Sequence, residues 1–155
     1  MIDVKMLTRG FALATSMAST AGNPAFGGDP VHGIDPSECT QFLKAGEASQ
    51  YGNEVAIGRD KHGNRIFNDT AYGDKFNPNA LTAAYRDSSM WGEYVKVVMN
   101  DAETNEENNV IVKLNDNGPF ANDKKGDPRV IDLTTGAADE LGMDGVAQVK
   151  IYLCP

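Results

Sequence analysis

Asn115-Asp116-Asn117-Gly118-Pro119-Phe120 follows directly on the β-branched run Val110-Ile111-Val112-Lys113-Leu114. The run alternates as a half-buried strand does, and Gly-Pro then forces a turn. A carboxylate therefore stands at the end of an apolar strand, with Phe120 expected to pack back on the same body. Desolvation favours the protonated form of a carboxyl so placed. A protonated carboxyl can deliver a proton to a leaving oxygen. The plainer alternative is an Asp that only caps a turn, and spacing alone favours it.

Working outward, the strand signals are short and closely spaced. Tyr94-Val95-Lys96-Val97-Val98-Met99 alternates, and Val146–Leu153 alternates over its whole length. Asn100–Asn109 between the middle strands is polar and acidic and reads as a hairpin loop. Upstream, Ala45–Tyr51 reads as a strand ended by Gly52. Asn53–Phe67 reads as loop, with a short strand near Glu54–Ile57. Two helices are predicted. One is Pro78–Tyr85, capped by Asn77; the other is Thr134–Leu141, ended by Gly142. Many strands and two short helices predict a small, mostly-β closed barrel.

The 155 residues suffice for one compact domain and an appendage. The net charge of −8 disfavours nucleic acid, whose phosphates demand a basic face. No stretch approaches the roughly 18 to 20 apolar residues of a membrane span. Cys39, Cys154, His32 and His62 are too few and too scattered for a structural zinc site. No phosphate-binding glycine motif occurs, so nucleotide chemistry has no support; neither a metal nor a cofactor is expected. Asp101, Glu103, Glu106 and Glu107 miss the EF-hand spacing and read as a solvated hairpin tip. His62 reads as a loop residue, and His32 is given no role.

Residues 1–44 are set apart as an N-terminal arm and 45–155 as the folded domain. Lys5 and Arg9 precede a weakly apolar stretch and Ser19-Thr20-Ala21, as in a secretory signal within 1–21. An uncleaved extension, a site for a protein partner, is the alternative. Pro36-Ser37-Glu38 before Cys39 is wrong for lipid attachment.

Several further motifs occur in one order. Gly46-Glu47-Ala48-Ser49-x-Tyr51-Gly52 is followed by Thr70-Ala71-x-Gly73-Asp74-x-Phe76-Asn77 and by Ala80-Leu81-Thr82-Ala83-Ala84-Tyr85-Arg86. The Asn115–Phe120 stretch comes next, then Arg129-Val130-Ile131-Asp132-Leu133-Thr134, Ala137-Ala138-x-x-Leu141-Gly142-Met143 and Gly145-Val146-Ala147. Over about residues 45–153 this series resembles the rare lipoprotein A (RlpA) family of lytic transglycosylases. That family has a six-stranded double-psi β-barrel, shared with expansins and barwin-like proteins.

The resemblance implies endo-acting cleavage of peptidoglycan glycan strands between N-acetylmuramic acid and N-acetylglucosamine, with a 1,6-anhydro product. The muramyl C6 hydroxyl attacks the anomeric carbon, so one carboxyl can act as acid and then as base. Asp116 matches the family's essential Asp. Asp74 stands where the family has Glu, and Tyr85 where it has His; both belong to the implied catalytic set. Tyr51, Thr82, Asn115, Gly118, Arg129 and Asp132 are the implied substrate-binding positions. Asp132, a charge among apolar residues, is also read as structural, its charge acting on Asp116. Arg129 reads equally as a groove partner for a carboxylate or as a solvated arginine.

Two further positions depart from the family pattern: Asn117 replaces an Arg, and Gln50 replaces an aromatic. Tyr72, Trp91 and Tyr94 are candidates to supply the lost sugar stacking. The fold also implies that the first and last strands run side by side, so that a Cys39–Cys154 disulfide could join the ends; two free thiols is the alternative. An extracytoplasmic setting, periplasmic or secreted, follows, with a phage virion as the other. The competing functions are an expansin-like or barwin-like glycan binder and a structural protein using the barrel as scaffold.

Overall fold

The computed structural model describes residues 33–101, 105–119 and 126–155. Phe120, His32, Glu103 and the signal-like stretch lie outside them. Among the described residues eight strands and one α-helix are formed: β1 (Gln41–Tyr51), β2 (Gly58–Arg59), β3 (Arg65–Ile66), β4 (Thr82–Ala84), β5 (Tyr94–Asn100), β6 (Glu107–Asp116), β7 (Arg129–Thr134), α1 (Thr135–Leu141) and β8 (Ala147–Leu153). Six strands close a barrel in the order β1-β7-β4-β6-β5-β8, and β2 pairs with β3 as a separate hairpin. The β1–β7 and β4–β6 pairs are parallel; the others are antiparallel.

The inward positions are apolar and tightly sealed. Val95, Val97, Val112, Leu114, Ile131, Leu133 and Ile151 are all completely buried. Their β-branched shapes suit a pleated, covered surface. Helix α1 packs Ala137, Ala138 and Leu141 on the same core and ends at Gly142, whose φ of 74° is the left-handed cap predicted for it.

The predicted helix at Pro78–Tyr85 is not formed. Asn77 does cap a turn, its side-chain oxygen accepting the Asn79 N–H. The chain then enters β4, whose edges are claimed by two strands. Thr82 and Ala83 pair with Lys113 and Leu114 on one side, and Ala83 and Ala84 pair with Leu133 and Asp132 on the other. Tertiary pairing overrides the helix propensity of the alanines. Their small size is what the crowded barrel wall requires.

The predicted strand near Glu54–Ile57 is also replaced, by a 3-10 turn at Asn53–Val55. Here the Glu54 carboxylate folds back to accept the Gly52 N–H at 2.7 Å. β1 begins at Gln41, four residues before the predicted Ala45, because its early residues pair with β8 rather than with the core. Cys39 and Cys154 form a disulfide at that seam. His62 lies in the β2–β3 turn, where Asp60 accepts its N–H.

Candidate active site

Two parallel pairings and one antiparallel pairing bring four residues from four strands into one row. Asp116 at the end of β6 is opposite Ala84 of β4, Ala84 is opposite Asp132 of β7, and Asp132 is opposite Ser49 of β1. Ala84 leaves the space between the two carboxyls open. A groove of about 240 Å³ lies over this row, with Asp116, Ala84 and Asp132 in its lining. Phe67 and Phe76 form part of its apolar wall. Their rings meet edge to face at 5.1 Å, and Phe76 lies 5.2 Å from the Tyr51 ring.

Asp116 is held from three directions. Its Oδ1 accepts the N–H of Ala71 at 3.0 Å and of Asn117 at 2.9 Å; its Oδ2 accepts the Tyr51 hydroxyl at 3.3 Å. Burial, then the charges of Asp116 and Asp132, push the Tyr51 phenol far up, so it stays a donor. Asp132 is anchored at Oδ1 by the Ser49 hydroxyl at 2.9 Å. Burial is the largest influence on it and raises its carboxyl above the usual range. Glu54 and Asp116 push the same way; Ser49 and Arg129 oppose.

Asp74 and Tyr85 are brought near Asp116 without lining the groove. Asp74 accepts the Lys113 ammonium at 2.8 Å and the Asn115 side-chain amide at 3.1 Å. These bonds, Lys113 first, hold its carboxyl below the ordinary range, so it is an ionised anchor. Lys113 also covers the Tyr72 ring at 4.9 Å. The Thr70–Asp74 turn so fixed is the one that presents the Ala71 N–H to Asp116. Tyr85 donates its backbone N–H to the Asp116 carbonyl at 2.8 Å. Burial and then Asp87 raise its phenol, which packs against the core.

The remaining predicted positions divide. Tyr51 lines the groove with the acids. Thr82, Asn115, Gly118 and Arg129 are outside its lining. Thr82 pairs within the wall, and Gly118 is buried in the turn after β6. Asn115 is buried and, among the described residues, its Oδ1 meets no donor. Arg129 reaches Asp127 at 3.3 Å. Of the candidate stacking residues, Tyr72 covers Lys113, Trp91 donates to the Tyr85 carbonyl and Tyr94 sits in β5. The aromatic wall is instead Phe67 and Phe76. Phe76 is within a quoted motif, but nothing in its spacing marked it as facing a groove.

A closed six-stranded barrel with two parallel pairs, opening on a groove floored by two carboxyls, defines the structural class. Residues 44–151 match the family described as lytic transglycolase, and the chain belongs to that family. It is 39% identical over 125 residues to the probable endolytic peptidoglycan transglycosylase RlpA of Synechocystis sp., covering 78% of this chain and 32% of that protein. The Yersinia pestis endolytic peptidoglycan transglycosylase RlpA is 39% identical over 112 residues, 71% of this chain and 25% of its own. The probable RlpA of a Nostoc species is 49% identical over 84 residues, 53% of this chain and 20% of its own. The chain thus spans about a fifth to a third of these relatives. No described helix is long and apolar enough to cross a membrane.

Proposed function

We propose that this chain is an endo-acting lytic transglycosylase that cuts peptidoglycan between N-acetylmuramic acid and N-acetylglucosamine and leaves a 1,6-anhydro end. The observation that carries the reading is Asp116, a well-oriented carboxyl in a groove whose lining includes Phe67 and Phe76. Phe67 and Phe76 offer flat apolar faces to the apolar side of a sugar ring. Ala84 provides the clearance for that ring to sit over the row.

In the reaction the muramyl C6 hydroxyl attacks C1, and the bond from C1 to the next sugar's O4 breaks. A proton must leave O6 and a proton must reach O4. Both Asp116 oxygens already act as acceptors, and Ala71, Asn117 and Tyr51 fix their direction. Asp116 is the group that takes the O6 proton. Asp74 and Tyr85 act through it: one holds the turn that orients its side chain, the other its backbone. The Cys39–Cys154 disulfide fits an extracytoplasmic place of work.

The test is mass spectrometry of purified peptidoglycan after digestion. Anhydro-muropeptides from the wild type, and about 10²- to 10⁴-fold slower release from Asp116→Asn, are expected. Glycan binding without any new ends would instead make the chain a binding module.

A further inference from the structure

The two carboxyls of the row differ in how their oxygens are used. Asp116 spends both as acceptors, with three donors converging on them. Asp132 has one oxygen fixed by Ser49; no donor among the described residues meets its Oδ2, yet the side chain lines the groove. An acid that must give up a proton needs this second arrangement: one oxygen held for aim, the other open to the substrate. The row also sets the separation. With one strand between them, the two Cα atoms are about 9.5 Å apart, two strand spacings. The residue between them on that strand is Ala84, whose methyl leaves the space between the two carboxyls open to the groove.

We infer that Asp132 is the general acid of the site, giving its proton to the leaving O4 while Asp116 takes the proton of the attacking C6 hydroxyl. This rests on the transglycosylase reading above and divides its two proton transfers between two residues. The electron pair of the C1–O4 bond goes to O4, which binds the Asp132 proton. The C1–O6 bond forms as the O6 proton passes to Asp116. The site is left with a carboxylate at Asp132 and a neutral Asp116. It resets when Asp116 releases its proton to solvent and Asp132 regains one.

The surroundings keep Asp132 fit to start neutral. Burial disfavours its ionised form, and so do Glu54 after β1 and Asp116 of β6. Tyr51 of β1 faces it with a phenol that stays uncharged. Arg129, on its own strand, and the Ser49 hydroxyl work the other way and limit the rise. Asp69 lines the same groove from the loop side. Ser49 is thus a positioning residue with a distinct signature: without it the carboxylate loses a donor, and Asp132 keeps its proton to higher pH.

The experiment follows release of anhydro ends from purified peptidoglycan against pH for the wild type, Asp132→Asn and Ser49→Ala, with sedimentation of protein on the same glycan as a binding control. Asp132→Asn is isosteric and still accepts from Ser49, but has no proton to give. It is expected to lose about 10²- to 10⁴-fold in kcat while still binding glycan. Ser49→Ala is expected to move the alkaline limb of the rate profile to higher pH, which a purely structural role would not do. Should Asp132→Asn fail to fold, as judged by far-UV circular dichroism, the Ser49→Ala limb decides alone. Wild-type rates in Asp132→Asn, or an unmoved alkaline limb in Ser49→Ala, overturn the inference and leave the transglycosylase reading standing. A wild type that releases no anhydro ends overturns both.

Discussion

The barrel wall has two unlike halves. On one side β5, β6 and β8 pair antiparallel, and their inward residues Val95, Val97, Val112 and Ile151 form a sealed apolar surface. On the other, β1 and β7 pair parallel and β7 and β4 antiparallel, and the positions that alternate with their core residues carry polar groups: Ser49, Asp132, and Thr134, which is completely buried. The first half costs little to specify because each strand finds its neighbour through a local pattern. The second half carries charges that a stable core would avoid, and it carries the groove. Stability is concentrated in one half and chemistry in the other, and substitutions should separate the two.

The largest expected effect is at the junction of the halves. Asp116→Asn should lower glycan cleavage by about 10²- to 10⁴-fold. Its melting temperature should stay close to wild type, since the amide oxygen still accepts the Ala71 and Asn117 N–H groups and the amide nitrogen can donate to the Tyr51 hydroxyl oxygen. Next, Ile151→Ala in the sealed half removes a fully buried side chain. It should cost about 2–5 kcal/mol in urea unfolding, with the kcat of the folded fraction unchanged. Loss of rate without loss of fold in one case, and the reverse in the other, is the pattern that the comparison demands. A folded Ile151→Ala enzyme with greatly reduced kcat would break it.

Thr134 is where the halves should fail together. Its hydroxyl binds the carbonyls of Ala80 and Thr82 and accepts the Thr82 N–H at 3.4 Å, tying β4 to β7. Thr134→Val keeps the shape but leaves those backbone groups buried without a partner. It should cost about 1–3 kcal/mol. Because Ala84 two residues on sits between the carboxyls, kcat should fall with stability, and both can be read from one variant by pairing urea melts with cleavage rates.

The same division decides what could be read from the chain alone. β5, β6 and β8 are legible because apolar alternation is their only organising rule, and Gly142 ends α1 where its backbone freedom predicts. β4 was illegible: Thr82-Ala83-Ala84 is too short to show a period, and its strand state is imposed by β6 and β7. Asp116 stood out because a turn follows it at once. The acid partner did not, since Asp132 between Ile131 and Leu133 reads as a charge to be tied down. Ser49 and Phe67 carry no local signal either; parallel pairing and the excursion through β2 and β3 bring them to the row. The family motifs named Tyr51, Asp116 and Asp132, which the barrel brings to one groove, while their contacts there depend on residues far apart in sequence.

The smallest expected effect is a matter of sign. Asp132 has its carboxyl raised in the folded protein, chiefly by burial. Its contribution to stability is therefore fully present below the unfolded carboxyl value of about 3.8 and is lost as pH rises through the higher folded value. Above that folded value the native state carries a partly buried charge that the unfolded chain would hydrate freely. Asp132→Asn has no proton to lose and keeps the Ser49 bond, so it should gain on wild type as pH rises from 3.5 to 7 and melt higher at pH 7. Asp74 must behave oppositely: its carboxyl is lowered by Lys113 and Asn115, its contribution is present above the unfolded value, and Asp74→Asn should melt lower than wild type at pH 7. Thermal melts of both variants at pH 3.5 and pH 7 check the pair. Opposite signs at neutral pH would show that one carboxyl is kept at the expense of the fold and the other for its sake; equal signs would mean that the groove acid is an ordinary structural aspartate.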